Sequence, residues 1–269
     1  MIKDIQENIY GHKKKMNFIL KAVRDYSETR SKDFSEIKVL DFGCGNGTAV
    51  SYPLANLGAE LTGVDFHPGV IKFVNANNRF PNAKFILGNE DSVLKLGEHF
   101  DVIVYSDIIE HLPDAEAVLK KLGSVHKTGG IIIVSIPNGY GPFEIEKFIT
   151  KWTGLEFAVI RAFNLPSKIK KWIFRKQVKH KGGSLAYNTK SPHRQFFRLK
   201  TFHNLLRNTE YVPFKFRKGA FLGAPVSEKF LGFKKFIEWN VKIADKLSPR
   251  LVSTWYFVCE KDGSGGDHV

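Results

Sequence analysis

The chain has 269 residues, 43% of them apolar and 25% charged, which excludes a disordered or collagen-like polymer and is long enough for a sizeable core without cross-links. Two cysteines, Cys44 and Cys259, exclude a disulfide framework and any CxxC or Cys/His finger, and the longest apolar runs, near Ile131 to Val134, are far too short for a membrane span. The net charge is +14, and its excess lies in residues 144–250, where 24 basic residues stand against 7 acidic ones, so an anionic partner is expected.

In chain order, residues 1–36 read as a helical extension, with Phe18, Ile19, Ala22 and Val23 as its apolar stripe. Its start has no apolar leader core, so no secretory signal is expected, and the low cysteine usage fits a reducing compartment. Lys38 to Phe42 is a short apolar strand ending in a glycine cluster. Further strands are expected at 61–64, 83–87, 100–105 and 131–136, with helical stretches between them such as Asp114 to Val125. Near-continuous apolar strands alternating with helices predict a parallel sheet covered on both faces. Together these residues, 37–142, form a core.

Past Pro137 the pattern changes. Ile145, Phe148, Ile149 and Trp152 recur at helical spacing, as do Ile169, Trp172 and Ile173 amid Lys168, Lys170, Lys171, Arg175 and Lys176. Residues 143–195 therefore read as a basic, aromatic helical insertion. Residues 196–261 return to the core with a helix at Leu199 to Arg207, a strand at 212–217, a basic helix at about 228–246 and a last strand at 254–259. The glycine-rich stretch 262–269 reads as a disordered tail.

The chemistry starts at Val39 to Thr48, where a strand runs into glycines at 43, 45 and 47 and then a helix. Glycines there let a backbone approach a ligand, and the helix start offers N–H donors. Asp41, just before them, suits a cationic ligand better than a phosphate. Asp65 ends the second strand, where a carboxylate can accept from both hydroxyls of a ribose. Asn89, Glu90 and Asp91 follow the third strand, placed to reach a purine amino group. A nicotinamide site is the rival, since Asp65 lies 22 residues after Gly43. The GxGxG spacing, the acidic residue before it and the preceding helix weigh against that rival.

Val39 to Thr48, Leu61 to Asp65, Gly88 to Asp91 and Phe100 to Pro113 together resemble the Rossmann-like S-adenosylmethionine-dependent methyltransferases, over about residues 36–137. The resemblance implies an α/β fold, with a seven-stranded, mostly parallel sheet, an antiparallel last strand and helices on both faces. It implies that Asp41, Gly43, Cys44 and Gly45 approach the methionine part of the cofactor, with Asp65 on the ribose, Phe66 flanking the adenine, Asn89, Glu90 or Asp91 at the adenine edge, and Ser106 behind the sulfonium.

Ser106 to Asp114 follows the fourth strand, at the end of the sheet that lines ligand crevices. His111 there is a candidate general base. Asp107, Glu110 and His111 are also a candidate set for a divalent cation, in a cluster similar to the acidic-x-x-Glu-His motif of ubiquinone-biosynthesis O-methyltransferases and small-RNA 2′-O-methyltransferases. A third reading has Glu110 and His111 only holding the loop. By the same resemblance His193 points at the acceptor. Tyr10 to His12 with Lys13 to Lys15 could close over the cofactor carboxylate, although a solvated charge run is the plainer reading of the lysines.

No Asp/Asn-Pro-Pro-aromatic motif or Pro-Cys nucleophile follows the fourth strand, which argues against methylation of nucleic acid bases. The expected activity is methyl transfer to a small-molecule or lipid-linked acceptor, chiefly at oxygen. The basic aromatic segment is expected to meet an anionic membrane surface, placing a cytoplasmic protein peripherally at the inner face. RNA methylation through that segment, or non-catalytic binding of the cofactor, are the alternatives.

Overall fold

In the computed structural model, the described residues are 7–153, 193–223, 227 and 231–261. The first helix, α1 (His12–Arg30), is followed by strand β1 (Lys38–Phe42), α2 (Ser51–Asn56), β2 (Glu60–Asp65), α3 (Pro68–Asn77), β3 (Ala83–Leu87), α4 (Glu90–Leu94), β4 (Phe100–Ser106), α5 (Ala115–Gly123) and β5 (His126–Pro137). Then come α6 (Pro142–Trp152), α7 (Leu199–Asn208), β6 (Tyr211–Lys218), α8 (Lys234–Ala244) and β7 (Thr254–Lys261).

The seven strands form one sheet in the order β3-β2-β1-β4-β5-β7-β6. β1 to β5 pair in parallel, while β7 lies antiparallel between β5 and β6. This is the Rossmann-like architecture expected, with the antiparallel strand in place. Side chains of successive strand residues point to opposite faces, so a double-faced core follows from uninterrupted apolar strands. Along β4, Ile103 and Tyr105 join α5 and α7 on one face through Val118, Leu119, Leu122, Phe202 and Leu206. Val102 and Val104 face the other way, against α1 and α3 through Phe18, Ile19, Val23 and Val74.

One sequence expectation changes. Within the helix expected at about 228–246, Gly232 and Phe233 are not helical, Phe233 being extended (φ −92°, ψ 145°), and α8 starts at Lys234. Its buried face carries a polar residue. Asn240 is buried beside Ile237 and Ala244, donating to the carbonyls of Ile9 and Leu222 and accepting from the Leu222 N–H. Most of the basic insertion, Lys168 to Lys176 included, lies outside the described residues, as do residues 262–269.

The strand order reverses between β1 and β4, the position where open α/β sheets leave a crevice at their carboxyl ends. The functional candidates converge there.

Candidate active site

A cavity of about 430 Å³ opens at that crevice. The carboxyl ends of β1, β2, β4 and β5 contribute Asp41, Asp65, Ser106 and Pro137, and the start of β7, which runs the other way, contributes Thr254 and Tyr256.

The glycine loop forms its floor. Gly43 adopts φ +81°, and a Cβ there would sit 2.7 Å from Ile108 Cγ1, so no other residue fits without displacement. Gly45 adopts φ +53°, and open space lies where its Cβ would be. The N–H groups of Gly43 and Cys44 donate to the Val64 carbonyl, while that of Gly45 donates to Asp65 Oδ2 at 3.0 Å. Asp65 Oδ1 accepts from the His67 N–H at 2.9 Å. One carboxylate thus braces the loop and faces the cavity. Asp41 is 1% exposed and receives the Ser51 hydroxyl. Burial pushes its carboxyl up to about 7; the Ser51 hydrogen bond opposes this and the nearby Asp65 adds to it.

Of the expected cofactor set, Asp41, Gly43, Cys44, Gly45, Asp65, Phe66 and Ser106 line the cavity. Asn89, Glu90 and Asp91 do not. Asn89 caps α4, accepting from the Ser92 N–H, and Asp91 pairs with Lys121 on α5, so local helix chemistry engages both.

The loop after β4 departs from the expected metal set. Asp107 has φ +54°, accepts from the Ser135 hydroxyl at 2.8 Å and is ion-paired with Lys15 of α1. Burial works against its ionised form, but the Lys15 charge and hydrogen bond and the Ser135 hydroxyl hold the carboxyl below its usual range. Lys15 thus meets the charge of Asp107, and among the described residues a different trio, which includes His193, comes together. Single ligand atoms of Glu110, His111 and His193 all lie within 4.8 Å of one another. Glu110 is 2% exposed, and its Oε2 has no hydrogen-bond partner among the described residues. Burial first, then the Asp107 charge, pushes its carboxyl well up.

His111 and His193 meet edge to face, ring centroids 5.0 Å apart. Phe143 stacks against His193 at 6.0 Å. The two histidines therefore stand together in the cavity wall, from segments 82 residues apart in sequence.

The lysine run is not uniformly solvated. Lys14 donates to the carbonyls of Gly219 and Val241 and to Asp245, and Lys15 reaches Asp107. Asn8, Tyr10, His12 and Lys15 close one side of the cavity. Burial, reinforced by the Lys15 charge, lowers the His12 imidazole to about 4, so His12 is neutral there. Ser135, Asn8 and Glu144, whose Oε1 lies 2.7 Å from His193 Nδ1, carried no sequence signal.

Three comparisons bear on this arrangement. A family model described as a methyltransferase domain matches residues 12–213. The chain is 35% identical over 104 residues to the ubiquinone biosynthesis O-methyltransferase of Azorhizobium caulinodans, covering 38% of this chain and 41% of that protein. It is 28% identical over 131 residues to the protein of the same name from Xanthomonas euvesicatoria, covering 48% of this chain and 54% of that one. The chain thus spans about half the length of these curated relatives or less. Among solved structures, the magnesium protoporphyrin IX methyltransferase of Synechocystis with bound S-adenosylhomocysteine aligns at a TM-score of 0.54 and 13% identity, over 93% of this chain and 83% of that one. The plantazolicin methyltransferase, bound to a desmethyl substrate analogue and S-adenosylhomocysteine, aligns at 0.54 and 18% identity, over 93% and 84%. At these identities the likeness is one of fold.

Proposed function

Because the chain belongs to the methyltransferase-domain family, we propose that it transfers a methyl group from S-adenosylmethionine to a hydroxyl of a small, lipid-linked acceptor. The observation that carries this reading is one cavity that joins the acidic glycine loop to a histidine pair. The curated relatives, named for O-methylation in ubiquinone biosynthesis, support oxygen and a small acceptor over RNA.

The residues fit the cofactor. Asp41 is a buried carboxylate without a cationic partner in contact among the described residues, suited to a positively charged ligand. Asp65 retains lone pairs for a ribose diol beyond the two N–H groups it accepts. Open space above Gly45 lets a ligand approach the backbone. When bound, that cofactor supplies a methyl group activated on a sulfonium.

The chain's own residues then orient and deprotonate the acceptor. His193 or His111 takes the hydroxyl proton, and Phe143 packs the acceptor side of the cavity. Holding both reactants in one enclosed site supplies most of the acceleration. Glu110, His111 and His193 would also hold a divalent cation, favoured by the unpartnered Glu110 Oε2, and its charge would ease loss of the hydroxyl proton.

The lipid-linked acceptor rests on α6. Ile145, Phe148, Ile149 and Trp152 share one helix face, and Phe148 and Trp152 are 71% and 81% exposed. An aromatic face beside a strongly basic stretch suits an anionic membrane surface. Among the described residues no helix is long and apolar enough to cross a membrane, so this contact would be peripheral.

Incubating the protein with labelled methyl donor and lipid extracts, beside total RNA, tests the reaction. Label in a phenolic or other hydroxyl lipid is expected; label in RNA alone overturns the reading. Flotation with anionic vesicles is expected to show salt-sensitive binding that falls about 10-fold or more in Phe148→Glu/Trp152→Glu, because two apolar side chains that would leave water are replaced by carboxylates that the anionic surface repels. Equal flotation with neutral vesicles would remove the electrostatic part of the argument.

A further inference from the structure

Glu144 stands in the first turn of α6, one residue after the Phe143 ring that stacks on His193. Its Oε1 is sealed from solvent and, among the described residues, is left without an aligned hydrogen bond, so a proton on the neighbouring His193 Nδ1 would supply the donor it lacks. The distance to His193 Nδ1 is 2.7 Å, and both side chains are largely buried. Phe143 lies against the His193 ring at an interplanar angle of 28°, and Phe196 and His111 close further sides of it.

We propose that Glu144 is the positioning residue of the site: it fixes the His193 ring so that Nδ1 carries the proton and Nε2 is left bare. An imidazole holds one proton when neutral, and the nitrogen that donates to a carboxylate keeps it. The other nitrogen is then the one available to the cavity that the ring lines. A base needs that form to accept a hydroxyl proton, and a cation would need it equally, so the assignment serves either role of His193. Without the carboxylate, both tautomers become accessible and the ring is free to turn, which lowers the fraction of productive sites. The inference rests on the methyl-transfer reading for its kinetic consequence, but the tautomer is a property of the ligand-free protein.

The test uses the full chain. Nitrogen-15 spectra of the histidine rings at about pH 8.5, where an ordinary imidazole is neutral, are recorded for the wild type, Glu144→Gln, Glu144→Ala and, for assignment, His193→Gln. In the wild type the His193 signals are expected to show protonated Nδ1 and bare Nε2. Glu144→Ala is expected to shift His193 to a mixture of tautomers; Glu144→Gln, whose amide oxygen can still accept, is expected to keep most of the native form. With a methylated acceptor in hand, Glu144→Ala is expected to lower kcat about 10- to 100-fold with S-adenosylhomocysteine affinity unchanged, and to have no further effect in a His193→Gln background. A proton on Nε2 in the wild type, or a tautomer unmoved by Glu144→Ala, overturns the proposal. If the spectra behave as expected but no acceptor is ever methylated, the methyl-transfer reading fails and the positioning role stands.

Discussion

Asp65→Ala is expected to weaken S-adenosylhomocysteine binding at least about 100-fold, close to 3 kcal/mol, the largest loss from any single truncation in the cavity. Two independent effects add in one substitution. On the proposed assignment, the ligand loses a carboxylate at the end of β2 that accepts from its ribose diol. The glycine loop also loses its brace, because Asp65 accepts the N–H of Gly45 at 3.0 Å and that of His67 at 2.9 Å. Leaving two backbone donors without their charged partner costs more than losing a neutral hydrogen bond. Asp65→Asn keeps one carbonyl acceptor and is expected to fall between the two. Calorimetric titration measures the effect, with NADH as the competing ligand class. Undiminished binding in Asp65→Ala, or preference for NADH, would remove the cofactor assignment and leave the fold.

The second large effect has opposite signs for stability and for binding. Asp41 is buried, and its carboxyl sits near 7 in the folded chain against about 3.9 for an unfolded aspartate. A carboxyl whose folded value lies above its unfolded one makes the fold lose stability as pH rises through that window. The unfolded chain ionises first, and above about 7 the fold carries an unfavourable buried charge. Asp41→Asn removes that charge while still accepting the Ser51 hydroxyl. The ligand-free variant is therefore expected to be about 2–4 kcal/mol more stable than the wild type at pH 8, with the gain fading as pH falls toward 4. The same variant is expected to bind S-adenosylhomocysteine about 10-fold or more weakly, since a charge-assisted contact to the ligand ammonium becomes neutral. Denaturant titrations at pH 8 and pH 4.5, with and without ligand, separate the two. A variant less stable than the wild type at pH 8 would show that the Asp41 charge is better compensated than its surroundings suggest.

The sheet was legible because apolar strands buried on both faces leave an uninterrupted signature, as at Val102 to Tyr105 and Ile131 to Ile136, although β5 starts earlier, at His126, in a polar and glycine-containing stretch without that signature. The places of Asp41, Asp65, Gly43 and Gly45 at the cavity were legible because turn geometry ties them to local sequence. What sequence did not disclose are pairings across long separations. Lys15 sits in a run of three lysines that reads as solvated, yet it meets Asp107, 92 residues away. Glu144 lies on a helix whose apolar spacing was plain, but nothing local marks it as the partner of His193. For Asn89 to Asp91 the position after β3 suggests a ligand, and the structure adds roles outside the cavity lining, Asn89 capping α4 and Asp91 pairing with Lys121. Local rules report what a residue does to its own backbone; they are silent on which distant segment arrives beside it.

The place of β7 governs when the cavity can exist. This strand slots between β5 and β6 and brings Thr254 and Tyr256 to the cavity wall, where the Tyr256 hydroxyl lies 3.5 Å from the carbonyl of Gly11, at the far end of the sequence. Lys14 clasps the carbonyls of Gly219 and Val241, binding the same distant segments together. Joining segments some 200 residues apart carries a loop-closure entropy that local contacts do not offset early in folding. A chain emerging from the ribosome thus has β1 to β5 available well before it has a pocket. The complete pocket is in this sense an end product of folding, and any ligand that needs its whole wall would stabilise β7 in the sheet.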